Sequence, residues 1–216
     1  DSSASGGVSR ADAPHGQAAA ADAPLSRLAI RSVALRLLLV QKGLLAAPDI
    51  EANVQWIENI SPATGARVVA CCWTDEAFKQ RMLADANAAA LECGVEVLIP
   101  LVAVENTDDV HNLIVCTLCS CYPRFLIGEP PAWYKSMGYR ARAVSDARGV
   151  VEEFGMKLDA DVEVRVYDST ADLRYVVIPQ RPTGTDGMSN EELATFVTRD
   201  SMIGVAPAQR QSWHDE

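Results

Sequence analysis

Three of the six cysteines fall within six residues, in the run Val115-Cys116-Thr117-Leu118-Cys119-Ser120-Cys121-Tyr122-Pro123. Thiols this close in sequence converge on one ion only if the backbone between them folds into a tight claw. Cys119 and Cys121 are two apart, so on a strand their side chains share a face. In a loop they close a chelate ring that includes the intervening peptide nitrogens. Thiolates select soft or borderline metals such as zinc, copper, iron or cobalt. Three other uses of clustered cysteines compete. A structural zinc site wants four side-chain ligands; Cys71, Cys72, Cys93 or His111 would have to supply the fourth, and none offers a matched pair. An iron–sulfur cluster also takes four, usually more widely spaced. A thioredoxin-like pair needs a helix starting near Cys116, which Pro123 and the run Gly128-Glu129-Pro130-Pro131 oppose.

Such a claw has to be carried by ordered elements. Leu113 to Val115 reads as a strand entering the cluster, preceded by a strand over Val95 to Val104 and a turn at Asn106 to Asp109. Upstream, Leu25 to Leu45 repeats apolar residues at helical spacing (Leu28, Val33, Leu35, Leu37, Leu38) and meets Gly43 near its end. Its apolar residues cover much of the circumference, which implies burial on more than one side, against a partner chain. Asp49 to Asn59 is a second helix. Ser61 to Gly65 reads as a break, and Arg67 to Cys72 as a short apolar segment. Thr74-Asp75-Glu76 caps a helix that runs through Phe78, Met82, Ala86 and Ala90 to Gly94.

Beyond the cluster, Gly128 to Pro131 forces an irregular turn. Tyr139 to Phe154 reads as a partly exposed helix in which Arg140, Arg142 and Arg148 have acidic partners. Val162 to Tyr167 and Arg174 to Ile178 read as strands with a turn at Asp168 to Asp172, and Asn190 to Arg199 as a short helix capped by Ser189. The fold class is α+β. Residues 1–24 form a flexible extension, 25–60 a helical arm, 61–206 a layered α-β-β-α domain carrying the cysteine claw, and 207–216 a tail.

Bulk properties narrow the partners. At 216 residues the chain can bury a real core. A net charge of −10 excludes the basic face that nucleic acid demands and disfavours an anionic membrane surface. No stretch reaches the roughly 18 to 20 uncharged apolar residues of a membrane span; Leu25 to Leu45 is interrupted by Arg27, Arg31, Arg36 and Lys42. Nothing at the start resembles a secretory signal, so a cytoplasmic location without structural disulfides is expected.

Cys-Thr-Leu-Cys-Ser-Cys resembles the metal-claw signature of nitrile hydratase α subunits. The likeness extends through Gly65 to Ala70, Trp73-Thr74-Asp75, Val104 to Thr107, Pro131 to Lys135, Tyr139 to Arg142, Asp168-Ser169 and Arg174-Tyr175. It continues through Pro179 to Pro182, Gly184 to Gly187 and Val197 to Gly204, so it covers roughly residues 28 to 206. The resemblance implies a low-spin, non-corrin Co(III), with Fe(III) ranked below it. Its ligands are the sulfurs of Cys116, Cys119 and Cys121 and the deprotonated backbone nitrogens of Ser120 and Cys121. Amidates and thiolates are strong donors that suit a trivalent ion, and five protein ligands leave one position open. The family oxidises the middle cysteine to sulfinate and the last to sulfenate, here Cys119 and Cys121. Thr117 is the cobalt-type variant, where the iron type has Ser.

The implied reaction is hydration of R–C≡N to the amide, with the Cys121 sulfenate as nucleophile towards the nitrile carbon or as base towards water. The resemblance also implies an obligate β-type partner subunit, whose arginines pair with the oxygenated sulfurs, and a dedicated metallochaperone or activator. Two departures bear on substrate. The family carries Trp after the Cys-x-Pro step, whereas Arg124 stands here, as in the Cys-Tyr-Pro-Arg of thiocyanate hydrolase γ subunits; hydrolysis of thiocyanate is therefore the second reading. A Gln that the family places near Val97 is missing. Arg124 and Tyr122 are candidates for the substrate pocket, and Asp168 and Arg174 for bracing the claw or the partner. Trp133 and Tyr134 read as packing residues at a subunit contact, Cys71, Cys72 and Cys93 as buried small hydrophobes, and His111 as structural.

Overall fold

The computed structural model describes residues 26–210, so the extension read at 1–24 and most of the tail read at 207–216 lie outside the described residues. The chain divides into two compact units between Val54 and Gln55. In the first, α1 (Arg27–Gln41) starts where the Ser26 side chain accepts the Ala29 amide, and Gly43 at φ 67 turns the chain after its end. α2 (Ala47–Glu58) follows and runs across the division. No residue of either helix is buried; Leu28 is 78% and Leu37 60% exposed.

The second unit is built from short helices and four strands. α3 (Pro62–Thr74) begins inside the segment that reads as a break. Ser61 in extended conformation is its N-cap and Pro62 its first residue, where the missing N–H costs nothing. The helices expected over Phe78 to Ala90 and over Tyr139 to Phe154 are each two: α4 (Glu76–Ala84) and α5 (Ala86–Glu92), then α7 (Met137–Ser145) and α8 (Ala147–Glu153). An aspartate sits at each division. Asp85 ends α4 and caps α5 by accepting the Ala88 amide at 3.0 Å, and Asp146 ends α7 and accepts the Gly149 amide at 3.0 Å. A short side chain that bonds the backbone ahead of it breaks a helix as readily as it starts one. The helix expected over Asn190 to Arg199 is shorter, α9 (Asn190–Ala194), and α10 (Arg199–Ile203), capped by Thr198, begins where it was expected to end.

The strand expected over Val95 to Val104 shrinks to β1 (Leu101–Glu105). Asn87 replaces a ladder in the preceding segment: its amide donates to the carbonyls of Val97 and Ile99, and its oxygen accepts the Leu101 amide. β2 (Val110–Val115) is buried from His111 onward. β3 (Glu163–Asp168) and β4 (Arg174–Ile178) follow one turn apart yet enter different sheets. β1 pairs with β4 and β2 with β3, both in parallel. The second register places Val115 opposite Asp168, so the chain leaves β2 into the cysteine run beside that carboxylate. α4 and α5 pack on β1, α7 on β2, α8 on β3, and α10 on β4 and β2. α6 (Arg124–Ile127) and a 3-10 turn (Trp133–Lys135), neither of which the periodicity predicts, close the path from the cysteines to α7.

Candidate metal centre

The cysteine run is a loop between the buried end of β2 and the single turn of α6. Cys116 and Cys121 are buried and Cys119 is exposed. Their sulfurs converge: Cys116 Sγ lies 3.6 Å from Cys119 Sγ, which lies 3.2 Å from Cys121 Sγ. All three fall within 4.8 Å of one another, the one such metal-capable group among the described residues. The Cys119 amide donates to Cys116 Sγ at 3.2 Å. The amides of Ser120 and Cys121 donate to no carbonyl among the described residues.

These contacts set the thiols apart electrically. The Cys119 thiol is lowered to about 7, first by the hydrogen bond from Cys121, then by those from the Ser120 amide and Cys116. Cys121 is pushed up to about 12, first by burial, then by its bond to Cys119 and the charge on Cys116, with Arg174 acting the other way. Between Cys119 and Cys121, negative charge is therefore favoured on Cys119, beside its neighbour's proton.

Side chains from distant elements hold the loop. The Thr117 amide donates to Asp168 Oδ1 at 2.9 Å and the Thr117 hydroxyl to Oδ2 at 2.5 Å, so Asp168 braces the claw directly. Arg140 donates to the carbonyls of Cys116 and Thr117. Tyr134 donates to the Cys121 carbonyl at 2.8 Å and Tyr139 to the Ile114 carbonyl at 2.5 Å. Burial pushes both phenols up, so they remain neutral donors. Tyr134 is fully buried within this chain, not at a surface as its sequence context suggested, and its ring meets Tyr122 edge-on at 5.1 Å. Trp133 stacks edge-on against Tyr139 and Phe154. The sequence reading missed the carbonyl contacts of Arg140 because it assigned that arginine an acidic partner. Of the three arginines, Arg142 pairs with Glu153 and, at 3.7 Å, with Asp146, whereas Arg148 donates to the carbonyls of Leu158, Asp159 and Val162.

A cavity of about 440 Å³ opens beside the cysteines, lined among others by Cys119, Cys121, Tyr122, Arg124 and Arg174. Arg124 forms an ion pair with Glu129 at its rim. A larger cavity, about 680 Å³, lies between the first turn of α3 and the α9–α10 segment. It contains neither thiol nor imidazole, so the chemistry belongs to the smaller one.

The donor set fits a metal bound by three sulfurs and backbone nitrogen better than the four-ligand alternatives. His111 is occupied, with Nε2 on the Gly204 carbonyl at 2.7 Å and Nδ1 facing Asn106 at 3.2 Å. Cys71, Cys72 and Cys93 gather near α3 and α5 and do not join the claw. Cys72 alone of them is fully buried. Among the described residues no fourth side chain therefore completes a zinc or iron–sulfur set, and no helix starts at Cys116 to make a redox pair.

The family model described as nitrile hydratase, alpha chain, matches residues 26–206. The low-molecular weight cobalt-containing nitrile hydratase subunit alpha of Rhodococcus rhodochrous is 51% identical over 182 residues, which is 83% of this chain and 88% of that one. The thiocyanate hydrolase subunit gamma of Thiobacillus thioparus is 40% identical over 195 residues, 84% of this chain and 80% of its own. Among solved structures, a recombinant thiocyanate hydrolase comprising partially modified cobalt centres matches with a TM-score of 0.76 at 37% identity, covering 86% of this chain and 92% of that one.

Proposed function

The chain belongs to the nitrile hydratase alpha-chain family, and we propose that it is the metal-binding catalytic subunit of an enzyme that hydrates nitriles to amides. The observation that carries this is the convergence of three sulfurs with two amides that donate to no carbonyl, beside a cavity large enough for a small nitrile. In this reading the sulfurs of Cys116, Cys119 and Cys121 and the backbone nitrogens of Ser120 and Cys121 hold a low-spin, non-corrin Co(III), with Fe(III) ranked below. When bound, the ion supplies Lewis acidity towards the nitrile.

The chain's own groups do the rest. In this reading dioxygen, taken up during maturation, is the oxidant that converts Cys119 to sulfinate and Cys121 to sulfenate. The sulfenate oxygen of Cys121 attacks the nitrile carbon, a C–O bond forms, and the displaced π pair on nitrogen takes a proton. Water then adds at that carbon, and the C–O bond to the sulfenate oxygen breaks and returns the Cys121 sulfenate. The released imidic acid shifts its O–H proton to nitrogen to give the amide, so the net change is one water added across the triple bond. Arg174 sets positive charge beside Cys121. A β-type partner subunit completes the site with arginines, and a metallochaperone loads it. The proposed location is cytoplasmic; no described helix is long and apolar enough to cross a membrane.

A second reading, hydrolysis of thiocyanate to carbonyl sulfide and ammonia, is favoured by one observation. Arg124 and Arg174 both line the cavity, and each has a buried Nε–H with no acceptor among the described residues. The deciding experiment is co-expression with the partner subunit in cobalt medium, then metal analysis, intact mass and turnover. One cobalt per chain, oxygen added at Cys119 and Cys121, and amide formed from acrylonitrile support the first reading; carbonyl sulfide released from thiocyanate supports the second. Stoichiometric zinc on three unmodified thiols overturns both.

A further inference from the structure

The Cys116–Thr117 peptide is gripped from opposite sides by two side chains of opposite charge. Its carbonyl accepts from Arg140 Nε at 3.1 Å, while its N–H donates to Asp168 Oδ1 at 2.9 Å. Arg140 reaches one residue further, with Nη2 donating to the Thr117 carbonyl at 2.6 Å. A guanidinium offers its donors in a rigid fork, so two successive carbonyls can be fixed by one side chain. Arg140 makes no ion pair among the described residues. Its position on α7, half-buried, is therefore explained by the loop and not by a neighbouring acid. With the first turn held, Cys116 Sγ sits where it accepts the Cys119 amide, and the next two amides donate to no carbonyl among the described residues.

We infer that Arg140 is a positioning residue that presets the cysteine loop for metal uptake. It orders the peptide planes around Thr117 before any ion arrives, so that binding does not have to supply that ordering. The inference rests on the ligand set proposed above and adds a group that touches no ligand sulfur.

The test uses the full chain in complex with its partner subunit, freed of metal and titrated anaerobically with Co(II). The thiolate-to-cobalt charge-transfer band is followed, and the metal-free complexes are melted in parallel. Arg140→Met is expected to weaken cobalt binding by about tenfold or more and to shift the band, while the metal-free melting temperature changes little. Arg140→Lys places one charge but cannot span both carbonyls, so it recovers only part. Arg140→Ala supplemented with guanidinium ion recovers the wild-type band. Arg142→Met removes an ion-paired arginine from the same helix and leaves cobalt binding unchanged. Wild-type affinity and band in Arg140→Met overturn the inference. So does an equal loss in Arg142→Met, or a loss that tracks melting temperature and is not rescued by guanidinium. A wild-type complex that binds cobalt but hydrates no nitrile overturns the proposed activity and leaves the Arg140 result standing.

Discussion

One chain holds two groups of three cysteines, and they behave as opposites. Cys116, Cys119 and Cys121 lie on a loop in which the Cys119 amide donates to the Cys116 sulfur, and Cys119 is lowered to about 7. Cys71, Cys72 and Cys93 sit at the ends of α3 and α5. Burial pushes Cys72 up to about 12, reinforced by Cys71 and Cys93, and Cys93 to about 11, reinforced by Cys71. Number of thiols does not distinguish the groups. Backbone conformation does, and with it the convergence of all three sulfurs within 4.8 Å of one another, met by the loop group alone among the described residues. Residues within a helix give their N–H groups to carbonyls four residues back, whereas a loop pinned by its carbonyls and by Asp168 can direct an N–H at sulfur, as Cys119 does at Cys116. A metal site is in this sense a property of the loop that carries the cysteines.

The comparison breaks most sharply under deletion. Cys116→Ala is expected to drop cobalt to background in complexes grown with cobalt, as measured by elemental analysis per chain. Cys72→Ala is expected to keep full cobalt and to lose about 1 kcal/mol from an unfilled cavity, a melting shift of roughly 2–4 °C. Loss of cobalt in Cys72→Ala would mean that the second group takes part in the site after all.

Alkylation sharpens the same contrast. At pH 7.5, in metal-free protein, a thiol near 7 is mostly ionised, while one near 11 is ionised to only about 0.03%. Lower intrinsic nucleophilicity of the more acidic thiol takes back much of that advantage, leaving Cys119 faster than Cys93 by roughly 20- to 60-fold. The sign with pH follows: reaction at Cys119 rises as pH passes about 7 and then levels, whereas reaction at Cys93 keeps climbing toward about 11. Peptide mapping after a timed iodoacetamide pulse reads both. Equal rates at Cys93 and Cys119 would show that the loop does not stabilise thiolate.

What the residues alone reveal divides along the same line. The claw was legible because its chemistry sits in six consecutive residues. Asp168 was legible only as a candidate, since its role depends on the parallel register that sets Val115 opposite it, 53 positions along the chain. Arg140 on an amphipathic helix looks like any surface arginine; only the packing of α7 on β2 brings its fork to the loop. The divided helices at Asp85 and Asp146 keep apolar periodicity across the break, so periodicity joined what the caps separate. The unburied apolar helices α1 and α2 were readable as helices from spacing alone, because spacing needs no tertiary partner.

The smallest effect is expected at Thr117, the position that by resemblance marks the cobalt type. Its hydroxyl donates to Asp168 and its amide does the same, so the side chain acts on the brace and not as a donor to the claw. Ser keeps the hydroxyl and loses only a methyl and the rotamer restriction of a branched Cβ. Thr117→Ser should then alter Co(II) affinity by less than about threefold, below the tenfold that 1.4 kcal/mol represents. Thr117→Val removes the hydroxyl bond from an exposed site and should weaken binding somewhat more, by the 0.5–1.5 kcal/mol typical of one hydrogen bond, or roughly 2- to 13-fold. Competition between Co(II) and Fe(II) in the same titration separates two roles for this position. An unchanged metal preference in Thr117→Ser places metal choice elsewhere, in the loading partner or in the rest of the loop. A switch to iron would mean that the Asp168 contact tunes the claw finely enough to select the ion.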